Sequence, residues 1–281
     1  MSRPSGSQGA PLLQIYTILV FVFLYLPILT LIVYSFSGSG VGGFPPARWS
    51  FTWYRQLFSD SELWDSVLNS LIVAAAAVAI SLSLGLPAAL ALDRAEFPGK
   101  SLFRRLVLLP LILPGIITGL SLLIFFVGVG IHPSLLAVTL GHGTALISVA
   151  TTEIFAGLQK FDRKQEEASL DLGANHWKTF WRVTFPNLRV SIVAAALLIF
   201  TLSFDEIAVS FFLMGRENTL PMEIWSRLRR GITPEINAIS TLILLFSFGL
   251  IFCWYRLRTR SEAGEGPEAA LLTSTLEGTS S

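Results

Sequence analysis

Two adjacent acidic residues, Asp205 and Glu206, lie inside the apolar stretch TLSFDEIAVSFF. An acid near the centre of a membrane-spanning helix costs about 2.5 kcal/mol or more, so such residues usually serve a function. On a helix the two side chains would point about 100° apart, which lets one face a pathway while the other pairs laterally. Either carboxylate would attract a cation and repel an anion such as sulfate, phosphate or molybdate. The pair predicts contact with a positively charged solute or, alternatively, a buried ion pair with an arginine of a neighbouring helix or subunit.

Signatures of hydrolytic chemistry are missing from the sequence. It contains neither an HExxH zinc helix nor a GxSxG nucleophile elbow. Gly99, Lys100 and Ser101 match the last three residues of a Walker A loop. However, the position five residues before Gly99 is Arg94 rather than glycine, and no apolar strand precedes the segment. We therefore expect that this chain is not an enzyme and does not hydrolyse ATP by itself.

The residues that most often bind metals are few and scattered. His132, His142 and His176 lie on different segments without ligand spacing, and Cys253 is the sole cysteine. We expect neither a metal ion nor another cofactor.

Composition places the chain in a lipid bilayer. Of 281 residues, 52% are hydrophobic and only 14% are charged, and the mean hydropathy is +0.64. The net charge of +1 comes without a basic tract of the kind that binds nucleic acid. The composition predicts an integral membrane protein and excludes a nucleic-acid partner.

Six apolar stretches are long enough to cross a hydrocarbon core of about 30 Å as helices. They are residues 12–36, 67–92, 106–127, 135–155, 191–213 and 236–257. Together they form a predicted transmembrane domain at 12–258, preceded by a short cytoplasmic-side tail at 1–11. The tail at 259–281 lacks an apolar period and is predicted to be disordered. Six spans place both termini on one side of the membrane.

The distribution of basic residues gives the orientation. Fourteen of the 20 Lys and Arg residues lie on the side that carries the termini, and six lie on the other side. Because cytoplasmic segments carry the excess of Lys and Arg, the termini and the connecting segment at 160–190 are predicted to be cytoplasmic.

Prolines are expected to interrupt several spans. Pro27 lies in the first span, Pro87 in the second, and Pro110 and Pro114 in the third. Each removes a backbone hydrogen bond that neighbouring protein or water must replace, and broken helices often mark transport sites.

The polar connecting segment begins with a predicted short helix. Glu166, Glu167, Ala168 and Ser169 suit a helix N-terminus because carboxylates offset the positive end of the helix dipole. Gly173 is expected to end this helix.

A second short helix is predicted to follow. Asn175 is a good N-cap, and Trp177, Phe180 and Trp181 share one apolar stripe. Pro186 is expected to stop the helix. A helix, a turn and a helix between two spans form a candidate docking surface, although an amphipathic, Trp-rich segment lying on the membrane surface is the alternative.

This segment resembles the cytoplasmic EAA loop of ABC importer permeases. The matching positions are Glu167, Ala168, Ser169, Gly173, Val183, Phe185 and Pro186. The chain departs from the family pattern at Ser169, Val183 and Phe185, which are mild changes of size. In that family the loop forms a coupling helix that sits in a groove of the cytosolic ATPase. The resemblance assigns ATPase coupling to Glu166, Glu167, Ala168, Ser169, Gly173 and Pro186.

From the first span to the last, leaving out the tail past about Arg260, the chain is similar to the spermidine/putrescine permeases of the PotC type. The string SFDEIAVSFF, residues 219–226 and residues 231–238 carry this similarity. Glu206 stands where those permeases have a second aspartate, and Trp225 stands where they have tyrosine. The resemblance places Asp205, Glu206 and Trp225 on the substrate pathway.

The expected fold is therefore all-α, a polytopic membrane protein with six transmembrane helices and the type I ABC importer permease (MetI-like) fold. The resemblance implies a bacterial inner-membrane subunit with both termini cytoplasmic, which pairs with a second homologous permease, a dimer of ATP-binding subunits and an extracytoplasmic substrate-binding protein. It implies import of polyamines by alternating access. The alternatives are another cargo, such as a different amine, a metal chelate or a cofactor, and a channel or scaffold without energy coupling.

Overall fold

The computed structural model describes residues 10–38, 46, 48–231, 233–245 and 248, and these residues are mostly helical with no β-strand among them. The predicted all-α class is confirmed. The first elements are α1 (Ala10–Ser35), α2 (Thr52–Phe58), α3 (Ser61–Arg94), α4 (Lys100–Ile112), α5 (Gly115–Gly128), α6 (Leu135–Ala145) and α7 (Ile147–Lys160). They are followed by α8 (Lys164–Asp171), α9 (His176–Thr179), a π-helical turn (Phe180–Thr184), α10 (Phe185–Phe204), α11 (Ala208–Leu213), α12 (Leu220–Arg230) and α13 (Pro234–Leu245).

The chain divides into two compact units, one formed by residues 60–226 and the other by residues 1–59 and 227–281. In the unit formed by residues 1–59 and 227–281, the Oγ of Ser35 at the end of α1 lies 2.6 Å from the hydroxyl of Tyr54 in α2. The indole N–H of Trp53 donates to the carbonyl of Ser37 at 2.7 Å. These bonds hold α2 against the chain that leaves α1.

The core of the 60–226 unit forms around α3, which packs against α6, α7 and α10. Its fully buried side chains include Ala150, Ile154, Leu188 and Ile199. At Gly85 a Cβ would lie 2.4 Å from the Cβ of Ala150, so α3 and α7 approach each other at backbone distance. Such close contact between small residues is how helices pack when lipid removes the hydrophobic driving force.

Four helical segments among the described residues are long and apolar enough to cross a membrane: Leu13–Ser35, Ser61–Arg94, Leu135–Lys160 and His176–Phe204. α4 and α5 form a fifth candidate together, although they are bent by 111° at the break between them. The sixth predicted span, 236–257, overlaps α13, and its remainder, apart from residue 248, lies outside the described residues.

Most of the predicted proline interruptions are wrong. Pro27, Pro87 and Pro110 all lie inside continuous helices. Only Pro114 falls at a break, where it precedes the first residue of α5. A long helix loses one hydrogen bond at an internal proline and keeps the others, which is why three of these helices continue.

The fifth predicted span, 191–213, is not one helix. The helical segment begins much earlier, at His176, and ends at Phe204, and α11 starts only at Ala208. A hydropathy window reports apolar side chains and not backbone breaks, so the sequence pattern did not reveal this one.

Candidate functional site

The helix-turn-helix of the connecting segment is present. α8 carries Glu166 and Glu167 in its first turn, and Gly173 follows its last residues with φ at +85°. The side chain of Asn175 accepts a hydrogen bond of 2.8 Å from the N–H of Lys178 and caps α9. The left-handed backbone at the turn suits glycine because it has no Cβ, so both local predictions are confirmed.

The two neighbouring glutamates of α8 have different surroundings. The carboxylate of Glu166 forms an ion pair with Arg94 at the end of α3 and accepts a hydrogen bond from the hydroxyl of Thr184 in the π-helical turn. Its side chain is 15% exposed, whereas the side chain of Glu167 is exposed and makes no hydrogen bond or ion pair among the described residues. Glu166 therefore joins three elements, and Glu167 faces outward.

A second set of polar contacts holds the start of α8 against α3, and it was not predicted from the sequence. Asp93, whose side chain is 3% exposed, accepts from Arg163 at 2.8 Å and from the amide of Gln159 at 2.7 Å. Ser169 and Thr179 join α8 to α9 through hydroxyls 3.1 Å apart. The sequence did contain one indication of these contacts. α3 ends with an acid and a base, Asp93 and Arg94, and charges at the end of an apolar helix need partners.

The outward face of this segment is apolar as well as acidic. Leu172 is 89% exposed, Trp177 is 69% exposed and Trp181 is 47% exposed. The rings of Trp177 and Trp181 meet edge to face with their centroids 5.8 Å apart. Ala168 is also exposed. We call this surface, made by Glu167, Ala168, Leu172, Trp177 and Trp181, the loop face.

Pro186 does not stop the second helix, so that prediction is wrong. The chain stays helical from His176 to Phe204, and Pro186 lies in the first turn of α10. The π-helical turn before it supplies the physical reason. The N–H of Phe185 donates to the carbonyl of Phe180, five residues back, and this wider turn leaves more room for the ring of the proline that follows it.

Asp205 and Glu206 are not in the middle of a helix, which corrects the geometry assumed from sequence. Asp205 directly follows the last residue of α10, and Glu206 lies in the short break before α11. Glu206 is half-buried, and its carboxylate accepts a 2.9 Å hydrogen bond from the N–H of Val209, so it caps α11. Asp205 is exposed and forms no hydrogen bond through its side chain and no ion pair among the described residues.

The break at Asp205 is held by a histidine that sequence reasoning set aside. His142 of α6 is 2% exposed, with Nδ1 lying 2.9 Å from the Oγ of Ser203 and Nε2 lying 3.0 Å from the Oγ of Ser210. Ser203 is on α10 and Ser210 is on α11. One imidazole therefore links the two helices on either side of the break.

The other side of α11 packs against α5. A Cβ at Gly119 would lie 2.9 Å from a ring carbon of Phe212 and 3.0 Å from the Cα of Val209. A Cβ at Gly115 would lie 3.6 Å from the carboxylate of Glu206. The break after α10 therefore lies beside the start of α5.

Trp225 is 39% exposed on α12. None of the hydrogen bonds, ion pairs or ring contacts in the described part of the chain joins it to Asp205 or Glu206. Its predicted place on a common pathway with the two acids stays a prediction.

Comparison with known proteins gives the family. The sequence profile of the binding-protein-dependent transport system inner membrane component family matches residues 81–264. The chain belongs to this family. It is therefore an integral inner-membrane component of a transport system, and the predicted family resemblance is confirmed.

Relatives of this inner membrane component extend over nearly its whole length. It is 38% identical over 255 residues to the putrescine transport system permease protein PotI of Escherichia coli (strain K12), covering 87% of this chain and 90% of the relative. It is 32% identical over 241 residues to the spermidine/putrescine transport system permease protein PotC of Haemophilus influenzae, covering 84% of this chain and 92% of the relative.

Solved structures share the fold of this family member. A bacterial ABC transporter involved in the import of the acidic polysaccharide alginate gives a TM-score of 0.66 at 16% identity, covering 92% of this chain and 99% of that chain. An amino acid ABC transporter gives a TM-score of 0.56 at 20% identity, covering 73% of this chain and 98% of that chain. The type I ABC importer permease fold expected from the sequence is confirmed.

Proposed function

We propose that this inner membrane component is the permease subunit of an ATP-driven importer and that its cargo is a polyamine such as putrescine or spermidine. Two relatives at 32% to 38% identity carry polyamine names, which supports this cargo. The observation within the chain that carries the proposal is Asp205. It is an exposed carboxylate between two apolar helices, with no cationic partner among the described residues.

Such a carboxylate is costly in hydrocarbon and becomes favourable where it lines a watered path and meets a cation. The break between α10 and α11 supports this role, because irregular backbone at membrane depth occurs where it lines a cavity or is buried in protein. Glu206 offers a second negative charge that already caps α11. Trp225 would add an aromatic surface to the pathway, where a cation favours a ring face.

In this proposal ATP is hydrolysed by partner subunits. The loop face binds these subunits, and their closing movement is transmitted through it to the membrane helices. Leu172 and Trp177 are apolar and highly exposed, which suits them for a groove on another protein. Glu167, Ala168 and Gly173 lie on the same short segment. A second permease, two ATP-binding subunits and an extracytoplasmic binding protein would complete the transporter. Closing of the ATPase dimer would then switch the helices between inward-open and outward-open states.

The test of the cargo is Asp205→Asn, assayed as uptake of radiolabelled putrescine by the complete transporter in proteoliposomes. Removing the charge while keeping the shape should lower uptake about tenfold or more, because the attraction for the cation is lost. Glu217→Gln is the matched control, since Glu217 is an exposed acid outside the break. Uptake that stays normal in Asp205→Asn would contradict the assignment.

Two further readouts separate the alternatives. Loss of the assembled complex in Asp205→Asn would mean that Asp205 pairs with a partner subunit. Putrescine flux that continues without ATP would indicate a channel without energy coupling. ATP-driven uptake of a metal chelate or a different amine, in preference to putrescine and spermidine, would reassign the cargo.

A further inference from the structure

A basic cavity lies at the start of α4 and is separate from both the loop face and the break at Asp205. Its volume is about 430 Å³. Its lining residues are Leu92, Lys100, Ser101, Arg104, Arg105 and Phe155. Three cations therefore surround a space whose remaining walls come mainly from apolar side chains of α3 and α7.

The positive charge of this cavity is only partly balanced. Lys100 pairs with Glu96 at 2.8 Å, but Glu96 itself is 88% exposed. The guanidinium of Arg104 lies over the ring of Phe155, 5.6 Å from its centroid. Neither Arg104 nor Arg105 has a carboxylate partner among the residues that the structure describes. Two arginines without an acid beside an apolar wall favour an anionic ligand.

The backbone at the same place favours an anion too. α4 begins after Gly99, which has φ at +87° and provides no side-chain cap. The first turn of α4 contains no acidic residue, so the positive end of the helix dipole is uncompensated there. The Gly99, Lys100 and Ser101 sequence, which we do not expect to form an ATP site, therefore has the local chemistry to hold a phosphate.

A second, apolar cavity adjoins the first. A smaller cavity of about 70 Å³ shares Leu92, Arg104 and Phe155 with the first, and it adds Leu108, Thr151 and Thr152 from α4 and α7. A ligand that fills both spaces needs a negative head and a hydrocarbon tail. Soluble phosphate compounds lack the tail.

We propose that this cavity binds the head group of an anionic phospholipid. Arg104 and Arg105 contact the phosphate, with the N-terminal N–H groups of α4 beside it, and one acyl chain lies along Leu108 and Phe155. Basic pockets between membrane helices are suited to such head groups. The site lies beside α3 and α7 and involves neither the loop face nor Asp205, so it does not depend on the cargo.

The experiment uses the full chain in nanodiscs of equimolar phosphatidylcholine and phosphatidylglycerol, released into native mass spectrometry to count retained lipids. The variant Arg104→Gln/Arg105→Gln should lower the retained phosphatidylglycerol by about 25-fold, since each basic residue near an anionic surface contributes roughly a fivefold change. Retained phosphatidylcholine should stay the same. The variant Arg104→Lys/Arg105→Lys should restore most of the retention, because the charge is kept.

The matched control is Lys160→Gln/Arg189→Gln, which removes two exposed positive charges outside the cavity. Equal loss in this control, or unchanged retention in the arginine variant, would overturn the proposal. If the double variant aggregates on gel filtration, Arg105→Gln alone should still lower retention about fivefold, and no change would count against the site. Inorganic phosphate that displaces phosphatidylglycerol from the wild-type chain in detergent, at millimolar concentration, would show a soluble-anion site and also overturn it.

Discussion

At the scale of single residues, the adjacent glutamates Glu166 and Glu167 have different contacts and therefore different roles. Glu166 is enclosed by Arg94 and Thr184, whereas Glu167 points away from the chain. The EAA resemblance placed both on the ATPase surface, and the contacts separate them. Glu166 holds the segment in place, and Glu167 is the one that remains available for a partner.

We expect Glu166→Gln to destabilise the chain and Glu167→Gln to leave its stability unchanged. Loss of the charge-assisted contacts at Glu166 should cost about 1–2 kcal/mol, at the lower end because Arg94 is 35% exposed. The thermal midpoint of the purified chain in detergent measures this difference. ATP-driven uptake should instead fall in Glu167→Gln, and equal midpoints for the two variants would refute the assigned roles.

Gly173 tests whether the turn matters through its backbone. No atom lies within 4 Å of a Cβ built at Gly173, so a side chain has room and only φ at +85° opposes it. Gly173→Val should therefore cost about 1–2 kcal/mol and lower uptake, while Gly173→Asn should keep most of it, because asparagine tolerates this conformation. The measurement is ATP-driven uptake together with the thermal midpoint. Full activity of Gly173→Val would rule out a required left-handed turn.

At the scale of elements, the break between α10 and α11 is maintained by neighbours on two sides. His142 bridges Ser203 and Ser210, and Gly119 lets α5 approach α11 at backbone distance. Capping of α11 by Glu206 satisfies a backbone N–H that the break leaves free. The exposed carboxylate of Asp205 is thus carried on a supported turn.

Gly119→Val should separate α5 from α11. Its Cβ would meet the Cα of Val209 at 3.0 Å and the carbonyl of Ala208 at 3.1 Å, and backbone atoms cannot move aside cheaply. We expect a loss of about 1–3 kcal/mol, seen as a lower thermal midpoint. Gly128→Val is the control, because nothing lies within 4 Å of a Cβ at Gly128 on the same helix. Equal midpoints for the two variants would contradict this packing.

At the scale of the whole molecule, the excess of basic residues on one side predicts cytoplasmic termini. A fluorescent protein fused after Ser281 should fold and fluoresce, and alkaline phosphatase fused there should be inactive, because the phosphatase needs the oxidising side of the membrane to form its disulfides. The control is a phosphatase fused after Glu217, which should be active. An active phosphatase at Ser281 would reverse the predicted orientation and place the loop face away from ATP.

Features that depend on a short stretch of neighbouring residues were predictable from the sequence. The apolar runs, the turn at Gly173 and the cap at Asn175 follow from hydropathy and from local backbone preferences, which neighbours a few residues away determine. The stripe of Trp177, Phe180 and Trp181 belongs to the same class. The family signature in this segment is likewise local.

Only the tertiary structure decided which charges are paired and where helices end. Glu166 meets Arg94 across 72 positions of sequence, and His142 reaches Ser203 across 61. The helix continues past Pro186 because a π-helical turn absorbs the ring, and it stops at Asp205 because α5, α6 and α11 hold the break. Pairing and helix breaks depend on which distant groups share a small volume, and the order of residues along the chain does not contain those distances.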